Sequence, residues 1–142
     1  MADRKVCEDS GVYKLVIAGT LPSLNELIDA ERTHRHKGAT LKRNSELLIR
    51  RMIKHQLRET KPKTPVVLHY HFFEPSRRRD KDNIAAFAHK VVQDSLVQEG
   101  VLENDGWDFV AGFTDSFGID KKCPRIEIVI EEYLHGEEEK TW

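Results

Sequence analysis

The sequence predicts an α+β domain: a mixed β-sheet with two main helices packed against it. Three observations predict it. The run VVLHYHFF at residues 66–73 is short, β-branched and aromatic, and Pro65 and Pro75 bound it, which marks a central strand. Apolar side chains at helical spacing stand on either side of it, over residues 42–58 and 84–95. Residues 125–131 alternate Ile126, Ile128 and Ile130 with Glu127, Val129 and Glu131, as a strand with two unlike faces does. At 142 residues the chain is long enough to bury a core as one domain spanning residues 1–142, with no need of disulfides or structural metal.

Each element has its own signal. Residues 1–11 are polar and end in Gly11, a loose lead-in, and residues 13–18 alternate as a first strand that Gly19 ends. Ser23 and Glu26 have capping-box spacing and open a short helix near residues 26–32. The stretch THRHKGAT at 33–40 is polar and holds Gly38, so it reads as a mobile basic loop. From 42 to 58, Leu47, Leu48, Met52 and Leu57, with Ile49 and Ile53 beside them, recur at helical spacing, and Arg50, Arg51, Lys54 and Arg58 share the outer side. Pro62 and Pro65 end that helix. His69 and His71 fall on one face of the central strand; with no third histidine or cysteine at useful spacing, hydrogen bonds to neighbours suit them better than zinc. The next helix begins near Asp82 or Asn83, with Ile84, Phe87, Ala88, Val91 and Ser95 as its core stripe, and Gly100 stops it. Residues 107–114 read as a half-buried strand with Trp107, Phe109, Ala111 and Phe113 on one side. A turn at 119–124 leads to residues 125–131, the antiparallel hairpin partner, and the acidic residues from 133 onward read as frayed.

Composition narrows the function classes. The net charge is −1, but residues 31–63 hold 11 Lys and Arg against 3 Asp and Glu, leaving 12 against 21 elsewhere. A basic third of this kind can grip a polyanion, or simply be a solvated face. Cys7 and Cys123 are far apart and outside any CxxC spacing, so a disulfide framework and a cysteine zinc site are excluded and a reducing compartment fits. No apolar run is long enough to span a bilayer and the N-terminus lacks a signal-peptide apolar region, so a membrane role is not expected.

Chemistry concentrates in residues 77–105, RRRDKDNIAAFAHKVVQDSLVQEGVLEND. Asp80 and Asp82 follow the central strand, and residues two apart in extended chain point to one side, so both carboxylates face one point. Such a pair calls for a bound cation or a shared proton, and oxygen ligands suit a hard ion such as Mg2+. Arg77, Arg78 and Arg79 beside the pair can hold a phosphate, and Asp105 is available as a third carboxylate. Cation, carboxylates and phosphate together describe phosphodiester cleavage. The plainer readings make Asp82 an N-cap and Lys90 with Asp94 an exposed i,i+4 ion pair.

These residues resemble the RusA family of Holliday junction resolvases. The resemblance runs through Pro22-Ser23-Leu24-Asn25, Arg77-Arg78-Arg79 before Asp80-Lys81-Asp82-Asn83, Lys90 with Asp94 and Leu96, and Gly100 followed by Asn104-Asp105. It implies a homodimeric, RusA-like, magnesium-dependent endonuclease that nicks four-way or branched DNA in recombination and repair, in the cytoplasm of a bacterial or phage-infected cell. By it, Asp80, Asp82 and Asp105 are the metal-binding catalytic carboxylates and Lys90 the catalytic lysine. Lys42, Arg43, Arg50, Arg51 and Lys54, with the arginine triplet, are expected to hold DNA phosphates. In the family the lysine stands closer behind the DxDN, where this chain has Ala86; here Lys90 lies about 12 Å along a helix from Asp82 at about 1.5 Å per residue. A longer lead-in before the helix, an arginine from 77–79, or service to the partner's site each accounts for the interval. Other readings are a branched-DNA-binding protein that does not cut, a nuclease for flaps or forks, and a small-phosphate-ester hydrolase using His69 and His71.

Overall fold

A computed structural model of the chain describes residues 11–133. The expected loose tails at 1–10 and 134–142 lie outside the described residues. At their inner ends Gly11 and Tyr133 are tied down, since Glu132 N–H donates to the Gly11 carbonyl at 3.0 Å and Tyr133 N–H to that of Pro65 at 3.0 Å. The elements in order are β1 (Val12–Ala18), α1 (Leu24–Thr33), α2 (Arg35–Gln56), β2 (Val66–Glu74), α3 (Lys81–Gln98), β3 (Val110–Ile119) and β4 (Arg125–Glu132). The fold is α+β, with a mixed four-stranded sheet in the order β1-β4-β2-β3. β4 is antiparallel to both β1 and β2, and β3 runs parallel to β2.

Alternation decides which face of the sheet is covered. Along β2, Val66, Leu68, Tyr70, Phe72 and Glu74 are buried while Val67, His69, His71 and Phe73 are half-buried, so one face carries the core and the other stays open. Tyr13, Leu15 and Ile17 of β1 and Ile126, Ile128 and Ile130 of β4 join the covered face. Ile49, Ile53 and Leu57 from α2 and its C-cap, and the predicted α3 stripe of Ile84, Phe87, Ala88, Val91 and Ser95, close over it. Tyr70 sits in this core, and burial raises its hydroxyl pKa above the usual phenol range, outweighing the hydrogen bond from Gln93.

Several sequence expectations change. Residues 33–40 form no loop: His34 alone is extended, its N–H closing α1 on Ala30 O and its imidazole capping α2 at His36 N–H. Gly38 is buried within α2 against Glu31, where a side chain would collide with that glutamate, so the glycine lets α1 and α2 lie close instead of breaking the helix. α2 buries Ile49 and Ile53 and leaves Leu47 49% exposed, because the packing stripe lies one position round from the one expected. Three helices therefore cover the sheet rather than two.

The later strands also differ. Phe109 and Val110 N–H both fold back onto Gly106 O at 3.0 Å, so residues 106–109 form a turn, Trp107 is 97% exposed, and the strand begins only at Val110. Ile119 ends β3 rather than starting the following turn. β4 is no hairpin partner of β3: it inserts between β1 and β2, because its buried isoleucines need core on both sides.

Candidate active site

The capping box at Ser23 sets one wall of the site. Ser23 Oγ accepts from Glu26 N–H at 3.2 Å, and Glu26 Oε1 accepts from Ser23 N–H at 2.7 Å. The same Glu26 oxygen meets Arg79 Nη1 at 3.0 Å, and that nitrogen also donates to Leu21 O at 2.8 Å. Arg79 Nε and Nη2 fork onto the two oxygens of buried Glu74 at 3.1 and 2.9 Å. Burial opposes the Arg79 charge, but the hydrogen bonds and charges of Glu74 and Glu26 outweigh it and raise its pKa above the ordinary value. Arg79 thus pins the end of β2 to the starts of α1 and α3, and its donors are committed within the protein.

Beside this clamp is a recess of about 890 Å³, lined by Arg77, Asp80, Lys81 and Asp82 with Phe117 and Ile119 of β3 among its other walls. Asp80 and Asp82 do meet here, though not on extended chain. Asp80 is the N-cap of α3 and Asp82 lies in its first turn, because the helix begins at Lys81. Asp80 has the residue type and backbone of a cap, yet its side chain makes no capping bond. Such a bond is worth about 1 kcal/mol, so its carboxylate is left facing the recess at some cost to the helix. Asp82 Oδ1 accepts only from the adjacent Asn83 N–H, at 2.9 Å. The positive end of the α3 dipole favours both carboxylates in their ionised form.

The other expected site residues lie elsewhere. Asp105 follows α3, whose eighteen residues extend about 27 Å at about 1.5 Å per residue, so it stands at the opposite end of the molecule from Asp80 and Asp82. Lys90 Nζ pairs with Asp94 Oδ1 at 3.6 Å on an exposed stretch of α3, more than two turns from Asp80. A longer lead-in before the helix is ruled out by the start at Lys81. Among the described residues no three metal-ligating side chains come together. His69 bonds Thr114 Oγ1 at 2.7 Å and Glu131 Oε1 at 2.9 Å, and His71 bonds Ser116 Oγ at 2.6 Å, all on the open face of the sheet.

Two exposed carboxylates on one recess nonetheless suit magnesium, which dehydrates reluctantly and is held by one or two carboxylates with water and substrate phosphate completing its shell. Sequence reasoning missed Lys81, which lies between the two aspartates, lines the recess, and has Nζ 5.7 Å from the Phe117 ring. Its position inside the D-K-D triplet was the available signal. It also missed Glu74 and Glu26, whose place as partners of Arg79 depends on the fold.

The basic face takes a definite form. Arg43, Arg51 and Lys54 are exposed along α2, Lys42 is half-buried, and Arg50 Nε is bound to Glu99 Oε2 at 2.6 Å. Arg35, His36 and Lys37, at the α1–α2 corner, extend the exposed positive surface. Lys37 and Leu41 adjoin Pro22 and Glu26 near the recess, so α2 runs from there to the Glu99 end of the molecule. Among the described residues no helix is long and apolar enough to cross a membrane. No protein-family model matches the chain, and no curated protein matches it.

Proposed function

We propose that the chain is a magnesium-dependent endonuclease of RusA type that acts as a homodimer and nicks four-way or otherwise branched DNA in recombination and repair. The observation that carries this reading is the pair Asp80 and Asp82, with no partner chain length between them but Lys81, turned onto one recess beside Arg77 while the N-cap bond is forgone. Asp80 and Asp82 would hold the ion, which when bound supplies a polarised phosphodiester and a nucleophilic water at neutral pH. Lys81 and Arg77 are placed to bind a phosphate and offset the charge that develops on it. Arg43, Arg51 and Lys54 on α2 would bind the DNA arms through phosphates, giving steep salt dependence and little base reading.

Lys90 is not needed in this arrangement, since Lys81 stands at the recess. A phosphate-ester site at His69 and His71 is disfavoured because both imidazoles are engaged on the sheet face away from the helices. The test is nicking of synthetic four-way junctions, flaps, forks and linear duplex by the full chain with and without magnesium. Magnesium-dependent nicks confined to branched substrates support the reading. Binding of junctions with no cleavage of any substrate leaves a branched-DNA-binding protein and sinks the enzyme.

A further inference from the structure

The two edges of the sheet are finished differently. On β1, the Gln56 amide occupies the outer edge: its Oε1 accepts from Val16 N–H at 2.7 Å and its Nε2 donates to Val16 O at 2.8 Å, as a neighbouring strand would. No such cover is found along β3 among the described residues, although at ten residues it is the longest strand, and it contains neither lysine nor proline. Natural edges are usually blunted by such residues or covered. Of the four large apolar side chains exposed among the described residues, Trp107, Phe113 and Ile119 lie on β3 or the turn before it.

The ladder fixes which groups point outward. Gly112 to Ile119 runs in unbroken parallel register with Val67 to Glu74, and Asp120 N–H donates to Glu74 O at 2.8 Å. Even-numbered residues of this stretch therefore turn their main-chain groups to β2, and Phe113, Asp115, Phe117 and Ile119 turn theirs to the open edge.

We propose that this edge pairs antiparallel with the same edge of a second copy, about a two-fold axis at Ser116, and that the partner's Asp105 completes the Asp80–Asp82 site. With the axis at Ser116, Phe113 faces the partner's Ile119 and Asp115 the partner's Phe117, so all four outward residues find a mate. The two half-exposed apolar side chains of β3, Phe113 and Ile119, become a cross-strand pair, twice over by symmetry. The axis stands perpendicular to a continuous eight-stranded sheet, so the two α3 helices lie on the same face and run in opposite senses. The partner's turn at 103–109 then emerges beside Ile119, which lines the recess of the first copy. That turn carries Glu103, Asp105 and Asp108, and the recess offers Arg77 and Lys81, so the charges match. The carboxylate that a single chain holds at the far end of α3 arrives in trans. The pairing itself stands apart from the nuclease reading; the role of Asp105 rests on it.

Light scattering of the full chain is expected to give twice 16.5 kDa. Phe113→Pro removes an N–H that faces outward and leaves the β2 ladder whole, so it is expected to give a monomer with unchanged far-ultraviolet circular dichroism. A wild-type monomer, or a folded Phe113→Pro dimer, overturns the interface. For the shared site, Asp82→Cys and Asp105→Cys are made in separate copies with Cys7 and Cys123 replaced by serine, mixed, and treated with a short thiol cross-linker. A covalent heterodimer is expected, and its absence from a mixture shown to be dimeric overturns placement in trans. Mixing Asp82→Asn with Asp105→Asn is expected to restore about a quarter of wild-type nicking, since half the dimers are mixed and each keeps one intact site. Failure of the wild type to nick defeats the proposed function alone, and the mass and cross-link still decide the interface.

Discussion

Replacing Arg79 with methionine separates a structural clamp from a DNA ligand. The substitution keeps the apolar stem and removes the fork that holds Glu74, a carboxylate only 6% exposed. Breaking a buried pair by removing one partner costs about 3–5 kcal/mol. The Arg79 side chain is 21% exposed, which favours the lower end, about 3 kcal/mol, while the half-exposed Glu26 contact adds at most about 1 kcal/mol. For a domain of this size each kcal/mol moves Tm by about 2–4 °C, so Arg79→Met is expected to melt about 6–12 °C lower. Adding Glu74→Leu should recover most of the loss, because an apolar pair replaces a buried ion pair at little net cost. Thermal and urea melts of both single variants and the double variant measure this. A variant that melts with the wild type but binds junctions tenfold more weakly would refute the clamp and make Arg79 a phosphate ligand.

The remaining predictions concern other joints. Gln56→Leu removes both bonds to Val16 and should lower stability by about 1–2 kcal/mol in urea unfolding. Ser95→Ala should raise it by about 1 kcal/mol, because the Ser95 hydroxyl is buried without a hydrogen-bond partner. Arg125 bonds Glu127 Oε2 at 2.7 Å and Asp120 Oδ2 at 2.9 Å, and its hydrogen bonds are the largest cause of the lowered pKa of each. A carboxylate with a lowered folded-state pKa contributes stability above its unfolded pKa and loses it as pH falls through the folded one. Arg125→Met should therefore be less stable than the wild type at neutral pH, with the difference shrinking below about pH 4, as melts across pH 2 to 7 will show.

What the sequence displays follows from how local each cause is. β2 was legible because eight consecutive residues carry strand chemistry between prolines, and the α3 core stripe because its period is set within the helix. The α1–α2 corner was misread because Gly38 and the surrounding charges resemble a loop, while the reason for the glycine, Glu31 on the neighbouring helix, is a tertiary contact. The place of β4 between β1 and β2 was hidden for the same reason, since adjacent segments are the default hairpin and only burial on both sides of the isoleucines overrides it. In the site, Asp80 and Asp82 were found through sequence proximity, though a helix start rather than an extended strand brings them together. Asp105 was near in sequence and far in space, because an intervening helix converts residue separation into length. Arg79 looked like a phosphate ligand beside Arg77 and Arg78, and its two glutamate partners come from 5 and 53 residues away.

The central claim is that the Asp80–Asp82 recess cuts DNA, and Asp82→Asn tests it most directly. Asp82 is exposed and bonds only the neighbouring N–H, so the amide should leave the fold intact. Junction binding and magnesium-dependent nicking are measured on the same preparation. The account predicts unchanged binding, since cationic side chains supply it, with nicking abolished. Nicking at the wild-type rate, or equal loss of binding and nicking, would contradict it.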